Sequence, residues 1–216
     1  MLSVGEVSGE LLAKKVVTEI KKDINFTYDF FGMGPSNLEN FGVRLIVDSK
    51  GFEVIGFYEV IGKYSTLKKA QRKLEKSLVL EVPDLLILID YIEFNLRLGE
   101  KAKKLGIPVL FYVSPQIWAW KPKRIKRIEK SVSSLALILP FEKSIYKNSS
   151  INAQYVGHPL MEILPFDKTK TQTRQANKLE TDIFPLISFL PGSRKSEINK
   201  HFNIFSVLNT FFIKFI

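Results

Sequence analysis

The chain contains no cysteine among its 216 residues and only two histidines, His158 and His201. Without cysteine it forms neither disulfides nor thiolate metal sites, and two histidines so far apart in sequence do not make a convincing metal site. No apolar run reaches the roughly 18 residues of a membrane span, and the N-terminus lacks the basic start, apolar middle and cleavage site of a signal peptide. These absences predict a cytosolic protein that uses no metal and no other cofactor.

Positive charge is in excess, because 32 Lys and Arg residues face 22 Asp and Glu residues and give a formal net charge of +10. Such an excess favours anionic partners, which include nucleic acid, lipid headgroups and nucleotide diphosphates. A lysine-rich composition without functional meaning is equally compatible with it. A hydrophobic content of 45% is well above that of a disordered chain, so the sequence has a core. At roughly 150 residues per domain, the length predicts one domain and the beginning of a second.

A continuous apolar run, Leu85 to Ile89, is followed directly by Asp90. Because the run does not alternate with polar residues, it predicts a central parallel strand that is covered on both faces. Ligands of open α/β sheets bind beyond the carboxyl ends of the strands, which makes Asp90 a candidate general base with Glu93 and Asn95 close behind it. The alternative is that Asp90 caps the next helix or begins a turn.

Strands and helices alternate along the rest of the chain. After a short apolar start, the Gly5–Glu10 turn leads into a helix whose predicted buried stripe is Leu12, Val16, Ile20 and Ile24. A glycine turn at a helix N-terminus favours an anion or a sugar hydroxyl. Further strands are predicted at Tyr28–Met33, Pro108–Val113, Leu135–Leu139 and Ala153–Val156, and further helices from Tyr64, after Asn95 and from Pro122. The alternation predicts an α/β fold with a Rossmann-like parallel sheet.

A basic segment from Trp118 to Arg127 combines two tryptophans with five cationic residues. Tryptophan beside a basic helix suits a membrane interface, and it equally suits stacking on sugar rings or nucleobases. The alternative is a tryptophan buried between a loop and the core, next to a solvated helix.

A polar segment, Phe166–Thr181, has no apolar periodicity and is predicted to link two domains. The predicted division is residues 1–163, a linker at 164–182 and the start of a second domain at 183–216. In that second part a strand at Ile183–Leu190 is predicted to lead into Pro191–Arg194, a second strand-to-helix anion site whose arginine could grip a phosphate with two hydrogen bonds.

Seven motifs occur in order along nearly the whole chain, and together they resemble the lipid-A-disaccharide synthase family of bacterial inverting glycosyltransferases. They are Gly5–Glu10, Gly32–Pro35, Asp90 with Phe94–Asn95, Ser114–Pro115 with Trp118–Trp120, Leu139–Glu142, Val156–Pro159 and Leu190–Arg194. The resemblance implies a GT-B fold of two Rossmann-like domains, of which this chain has the N-terminal domain and only the start of the second. One departure stands out, because Tyr91-Ile92-Glu93 occupies the place where the family usually has Ala-Pro-Asp.

The resemblance implies transfer of a sugar from UDP-2,3-diacylglucosamine to 2,3-diacylglucosamine 1-phosphate, which forms a β-1,6-linked disaccharide and UDP in lipid A synthesis. Asp90 would be the catalytic base. The other implied site residues are Glu6, Ser8, Asn95, Trp118 and Arg194 for substrate binding and Gly192, Ser193 and Arg194 for the diphosphate. No metal is implied where arginine and helix dipoles stabilise the leaving group.

The implied location is cytoplasmic and peripheral, on the inner face of the cytoplasmic membrane, with an anionic membrane surface and not nucleic acid as partner. A homo-oligomer and a separately encoded C-terminal half are open as further partners, and we expect no disaccharide synthesis from residues 1–216 alone. Two alternatives compete with this function. One is a non-catalytic nucleic-acid-binding module that uses the basic Trp118–Arg127 segment, although the chain lacks a recognition helix or RNA-binding signature. The other is a different nucleotide-sugar enzyme such as an epimerase.

Overall fold

The computed structural model describes residues 1–5, 7–50, 52, 57–120, 124–162, 168–177, 179, 190–192 and 195–215. For residues 7–8, 57–64, 119–120, 195–196 and 208–215 it describes the backbone alone. The chain divides into two compact units, a first unit of residues 1–162 and a second unit of residues 163–216.

Seven parallel strands form one sheet within the described residues of the first unit. They are β1 (Leu2–Val4), β2 (Phe30–Gly34), β3 (Val43–Asp48), β4 (Leu86–Ile89), β5 (Val109–Tyr112), β6 (Ser134–Leu137) and β7 (Asn152–Tyr155). Their spatial order is β3-β2-β1-β4-β5-β6-β7, so the chain builds outwards from β1 on one side and from β4 on the other. The predicted α/β fold with a Rossmann-like parallel sheet is confirmed.

Helices of the first unit pack on both faces of this sheet. They are α1 (Val7–Ile20), α2 (Phe57–Glu81), α3 (Ile92–Lys104), α4 (Ile117–Trp120), α5 (Ile125–Ser131) and α6 (Glu142–Ile145), with 3-10 helices at Ser36–Phe41 and Pro159–Glu162. Leu86 and Leu88 of β4 join the core with α2, α3 and α5, whereas Ile87 and Ile89 join the smaller core with α1. Since each buried side chain of this kind contributes about 1.5–3 kcal/mol, β4 is a major source of stability. The predicted strand buried on both faces is confirmed.

The buried side of α1 differs from the predicted stripe. The helix ends at Ile20, and Ile24 beyond it is 91% exposed. Among the described side chains of α1, Ala13 and Val17 are fully buried, while Leu12, Val16 and Ile20 pack against the core as partly buried residues. The predicted stripe is thus offset by one position from the most buried line of the helix.

Several element boundaries also differ from the predictions. Helix α2 begins at Phe57 instead of Tyr64, β2 is shifted towards Gly34, and α4 was not predicted as a helix. The differences are small at the later strands: β5 is one residue shorter at each end, β6 begins one residue earlier and ends two earlier, and β7 is shifted one residue earlier. The predicted strand at Ile183–Leu190 lies, apart from Leu190, outside the described residues.

The second unit contains the helices α7 (Lys170–Ala176) and α8 (Lys195–Phe215) among its described residues. Helix α7 begins with a capping box, in which Thr169 Oγ1 accepts from the backbone N–H of Gln172 at 3.2 Å and the Thr169 N–H donates to Gln172 Oε1 at 2.8 Å. This helix lies within the segment predicted as a linker, and the domain boundaries stay a prediction. None of the described helices combines the length and apolarity needed to cross a bilayer.

Candidate active site

Asp90 lies where the order of the strands reverses. β1 and β4 are neighbours in the sheet, with Val4 beside Ile89, and the chain leaves them towards opposite edges. Such a reversal opens a crevice at the carboxyl ends of the two strands, and this crevice is the usual ligand site of open α/β sheets. Gly5 follows β1 and Asp90 follows β4, so both residues lie at this crevice.

The backbone at Asp90 adopts a conformation that is rare for residues with side chains. Asp90 has a φ of 55° and Tyr91 a φ of 45°, both in the left-handed region. This conformation costs about 1–2 kcal/mol for each residue other than glycine. Two consecutive left-handed residues therefore need support from the surrounding structure.

Asn95 of α3 supplies that support from a fully buried position. Its Nδ2 donates to the carbonyl oxygens of Asp90 at 2.8 Å, Ile89 at 3.1 Å and Ser3 at 3.2 Å, and its Oδ1 accepts from Ser3 Oγ at 2.6 Å. One side chain thus joins the carboxyl ends of β1 and β4 to the turn between them. These contacts are all made to the protein, and the role of Asn95 in substrate binding stays a prediction.

The Asp90 carboxylate packs against the first turn of α1. A Cβ atom built on Gly9 would come within 2.6 Å of Asp90 Oδ2, and one built on Gly5 would overlap the side chain of Tyr91. Only glycine leaves this room. Ser8 belongs to the same turn, although its side chain is not described, and Glu6 lies outside the described residues.

Asp90 lines a cleft of about 330 Å³ at this edge of the sheet. Its described lining is completed by Ile92, Phe111, Val113, Ser114, Pro115, Gln116, Ile117 and Arg124. The side opposite Asp90 begins at Val113, whose φ of 68° is also left-handed. Next to it the buried Ser114 receives support from two directions: its N–H donates to the carbonyl of Ala136 at 3.1 Å, and its hydroxyl lies 2.9 Å from that of Tyr146.

The pKa of the Tyr146 phenol is raised in this environment. Burial raises the pKa of its phenol, the hydrogen bond with Ser114 lowers it in part, and the nearby charge of Glu142 raises it. The hydroxyl pair is therefore a bond between two neutral groups at physiological pH.

Trp118 of α4 is partly exposed and is oriented by α6. Its Nε1 lies 3.4 Å from Oε1 of the fully buried Glu142, and its ring meets that of Phe141 edge to face with 5.0 Å between the centroids. The other oxygen of Glu142 accepts from the backbone N–H groups of Ile138 at 3.2 Å and Leu139 at 3.0 Å. Trp118 is 39% exposed, so one part of it contacts Phe141 and Glu142 and another part faces solvent.

The basic segment after Trp118 is less uniformly solvated than its sequence indicates. Glu93 of α3 forms salt bridges with both Arg124 and Arg127, one to each carboxylate oxygen, and the pair with Arg127 measures 2.6 Å. Lys123 lies outside the described residues. Glu93 thus offsets part of the positive charge that the sequence assigns to this surface.

The predicted diphosphate site falls in the second unit and is described in part. Gly192 has a φ of 103°, and the carbonyl of the preceding Pro191 lies 2.9 Å from Nδ1 of His201 on α8. Ser193 and Arg194 lie outside the described residues, so diphosphate binding stays a prediction. Among the described residues no cluster of three or more His, Asp or Glu side chains could hold a metal ion.

A larger cavity of about 610 Å³ lies on the face of the sheet that carries α1. It is lined mainly by side chains of α1, β5, β6 and β7, such as Val16, Tyr112 and Ala136. Asp90, Asn95 and Trp118 are not among its described lining residues, and Asp90 lies instead at the carboxyl end of β4. The smaller Asp90 cleft is therefore the candidate active site.

Comparison with known proteins identifies the family. The family model described as lipid-A-disaccharide synthetase matches residues 1–211. The chain belongs to this family. The resemblance stated from the seven motifs is confirmed, and membership favours the glycosyltransferase interpretation over both alternatives.

Individual relatives agree with this assignment. The lipid-A-disaccharide synthase of Trichlorobacter lovleyi is 38% identical over 200 residues, which cover 93% of this chain and 52% of that protein. Lipid-A-disaccharide synthase 1 of Legionella pneumophila strain Paris is 42% identical over 201 residues, with the same two coverages. The chain thus spans about half the length of the curated relatives it matches.

The structure brings Asp90 and Asn95 into contact and adds residues that sequence reasoning missed. Ser3, Ser114 and Tyr146 fix the walls of the cleft, and Arg124 lines it. Arg124 stands in the basic segment, where its charge was read as part of a surface. A better signal was available for Asn95, since a polar residue between Phe94 and Leu96 on a buried helix face indicates an internal hydrogen-bond role.

Proposed function

We propose that this chain forms the acceptor-side part of a glycosyltransferase that joins UDP-2,3-diacylglucosamine to 2,3-diacylglucosamine 1-phosphate. The products are the β-1,6-linked lipid A disaccharide and UDP. The observation that carries the proposal is Asp90, a carboxylate held in a left-handed turn at the reversal of strand order, in a chain that belongs to the lipid-A-disaccharide synthetase family.

Asp90 acts as general base in this proposal. Its carboxylate takes the proton of the acceptor 6-hydroxyl while that oxygen attacks the anomeric carbon of the donor, and the bond from this carbon to the UDP oxygen breaks. Attack from the side opposite the leaving group inverts the configuration. The N-terminal turn of α1 packs against the carboxylate, and Asn95 holds the backbone of Asp90 in place.

The departing diphosphate requires positive charge and hydrogen-bond donors. Arg194, with the backbone at Gly192 and Ser193, is our candidate for this task, and Glu6, Ser8 and Trp118 are candidates for contacts with the sugars. A guanidinium suits a diphosphate because its planar N–H donors bind two oxygens at once. The proposal routes no step through a metal ion.

A chimera tests the proposal directly. The 216-residue chain replaces the matching half of a full-length curated relative, and formation of disaccharide and UDP is measured with purified protein. We expect turnover from the chimera, and none from residues 1–216 alone. Asp90→Asn in the chimera should lower turnover by about 100-fold or more, because the amide keeps the shape of the carboxylate and cannot accept the proton.

Asp84→Asn is the matched control, since Asp84 is an exposed carboxylate before the other end of β4. It should leave turnover within about twofold of the parent chimera, as expected for a surface substitution. Near-normal turnover of the Asp90→Asn chimera would reject Asp90 as the base.

We also propose that the protein is cytoplasmic and binds the inner face of the membrane through the exposed edge of Trp118 and neighbouring cations such as Lys123. Binding to anionic vesicles should weaken as salt rises and should weaken further in Trp118→Ala and Lys123→Ala. Vesicle binding that changes neither with salt concentration nor in the two variants would contradict this location. Equal binding to DNA and vesicles would instead favour the nucleic-acid alternative.

A further inference from the structure

Arg124 is a cationic side chain among the lining residues of the Asp90 cleft. It precedes α5, which packs against α3, and its side chain is 28% exposed. The cleft thus presents one carboxylate and one guanidinium to whatever occupies it. Two groups of opposite charge in one cleft suit a ligand with a hydroxyl to activate and an anion to bind.

Glu93 binds the guanidinium of Arg124 without neutralising the positive charge of this group of side chains. The carboxylate is shared between Arg124 and Arg127, so the three side chains together carry one net positive charge. A guanidinium has five N–H donors, and a salt bridge to one carboxylate oxygen leaves others for a ligand. Arg127 shares the same partner and does not line the cleft.

The size and chemistry of the cleft indicate the class of ligand. A volume of about 330 Å³ is near the lower end of the usual range for ligand pockets, which suits a sugar headgroup. Arginine is the residue best matched to phosphate, because its planar donors meet two phosphate oxygens together. An acceptor that carries a phosphate monoester on the ring and a hydroxyl for Asp90 satisfies both groups.

We infer that Arg124 binds the phosphate of the acceptor sugar and thereby orients its hydroxyl towards Asp90. This inference rests on the proposed function and adds the residue that selects a phosphorylated acceptor. Glu93 acts as a positioning residue that orients the guanidinium of Arg124 towards the cleft. Arg127 binds the other carboxylate oxygen of Glu93 and does not line the cleft.

Binding to the 216-residue chain tests the inference without turnover. Dissociation constants are measured for 2,3-diacylglucosamine 1-phosphate and for the same lipid without its phosphate, in matched micelles of neutral detergent. The wild-type chain should prefer the phosphorylated lipid by roughly 10- to 100-fold, the range expected for hydrogen bonds to a charged group. Arg124→Gln should reduce this preference to about onefold to threefold, whereas the matched control Arg127→Gln should retain it.

Each outcome decides between the inference and the proposed function. Equal affinity of the wild-type chain for the two lipids, or a preference that survives Arg124→Gln, would overturn the inference and leave the proposed function standing. Loss of UDP binding in Arg124→Gln with the lipid preference intact would also overturn it, because the arginine would then serve the donor. Binding of neither lipid would contradict the proposed acceptor site and the inference with it.

Thermal unfolding monitors the fold of each variant. Should Arg124→Gln unfold at the temperature of measurement, Arg124→Lys carries the same test, because lysine keeps the charge and loses the planar fork. Its preference for the phosphorylated lipid should fall between those of Arg124→Gln and the wild-type chain. A full wild-type preference in Arg124→Lys would show that no planar contact with phosphate is made.

Discussion

The two walls of the Asp90 cleft are fixed in different ways. We call residues 90–95 the Asp90 wall and residues 113–118 the Ser114 wall. Both begin with left-handed residues that are not glycine. In the Asp90 wall one buried amide, Asn95, bonds three backbone carbonyls and a serine hydroxyl, whereas in the Ser114 wall the bonds go to separate partners, Ala136, Tyr146 and Glu142.

This difference should determine how each wall responds to the loss of one side chain. When one side chain satisfies several backbone groups, its loss leaves all of them unpaired together, and the effect exceeds that of a single bond. When each contact has its own partner, one loss is absorbed locally. The wall that carries the proposed base has the concentrated arrangement, and the wall that carries Trp118 has the distributed one. Substitutions on the two walls should therefore differ in how much they lower the free energy of unfolding and in how many residues exchange faster.

The largest effect is expected for Asn95→Ala. It removes the donor that the carbonyls of Asp90, Ile89 and Ser3 share in a buried site, which we expect to lower the free energy of unfolding by about 3–4 kcal/mol. The measurement is urea denaturation of residues 1–216. Native-state hydrogen exchange should accelerate at residues 90–95 and remain slow at residues 113–118.

Asn95→Asp sharpens this prediction because it conserves shape and removes the donor. A charged carboxylate would face three carbonyl oxygens, so we expect a deficit at neutral pH at least as large as that of Asn95→Ala. Burial among carbonyl oxygens raises the pKa of this carboxyl above its unfolded value of about 4, so its protonation restores one donor and removes the charge, and the deficit should shrink as the pH falls towards about 4. A deficit that does not depend on pH would contradict the direct contact with these carbonyls.

A smaller effect is expected for Glu142→Ala on the Ser114 wall. The substitution deprives the N–H groups of Ile138 and Leu139 of their acceptor and the Trp118 indole of its partner, which should lower the free energy of unfolding by about 2–3 kcal/mol. Glu142→Gln is the matched control, since its amide oxygen can still accept, and it should lose less than half of that amount. Exchange at residues 90–95 should not change in either variant.

Sequence reasoning located the Asp90 wall and missed how it is held. The apolar run before Asp90 placed the carboxylate at a strand end, because continuous burial requires a central strand. Nothing in Asp90-Tyr91 indicates two left-handed residues, since neither is glycine and the conformation depends on Asn95 and on space above Gly5 and Gly9. Local propensity cannot report a conformation that distant groups impose.

The contacts of the Ser114 wall, like the Asn95–Ser3 bonds, join residues that are far apart in sequence. Ser114 meets Tyr146 across 32 positions in sequence, and Trp118 meets Glu142 across 24. Both Trp118 and Glu142 belong to motifs that resemble a family, but the motifs do not indicate that the two side chains meet. Periodicity identifies which elements exist, and pairs of polar side chains between elements follow only from their packing.

The smallest predicted effect is the coupling between Ser114 and Tyr146. Because burial raises the pKa of the phenol, the two hydroxyls meet as neutral groups, and a neutral hydrogen bond contributes about 0.5–1.5 kcal/mol. Ser114→Ala and Tyr146→Phe should each destabilise the chain by about 1–2 kcal/mol, and the double variant by less than their sum. A double-mutant cycle by urea denaturation should return a coupling energy of about 1 kcal/mol. Strict additivity would mean that the hydroxyls do not bond, and the Ser114 wall would then depend on the backbone bond to Ala136 and on Glu142 alone.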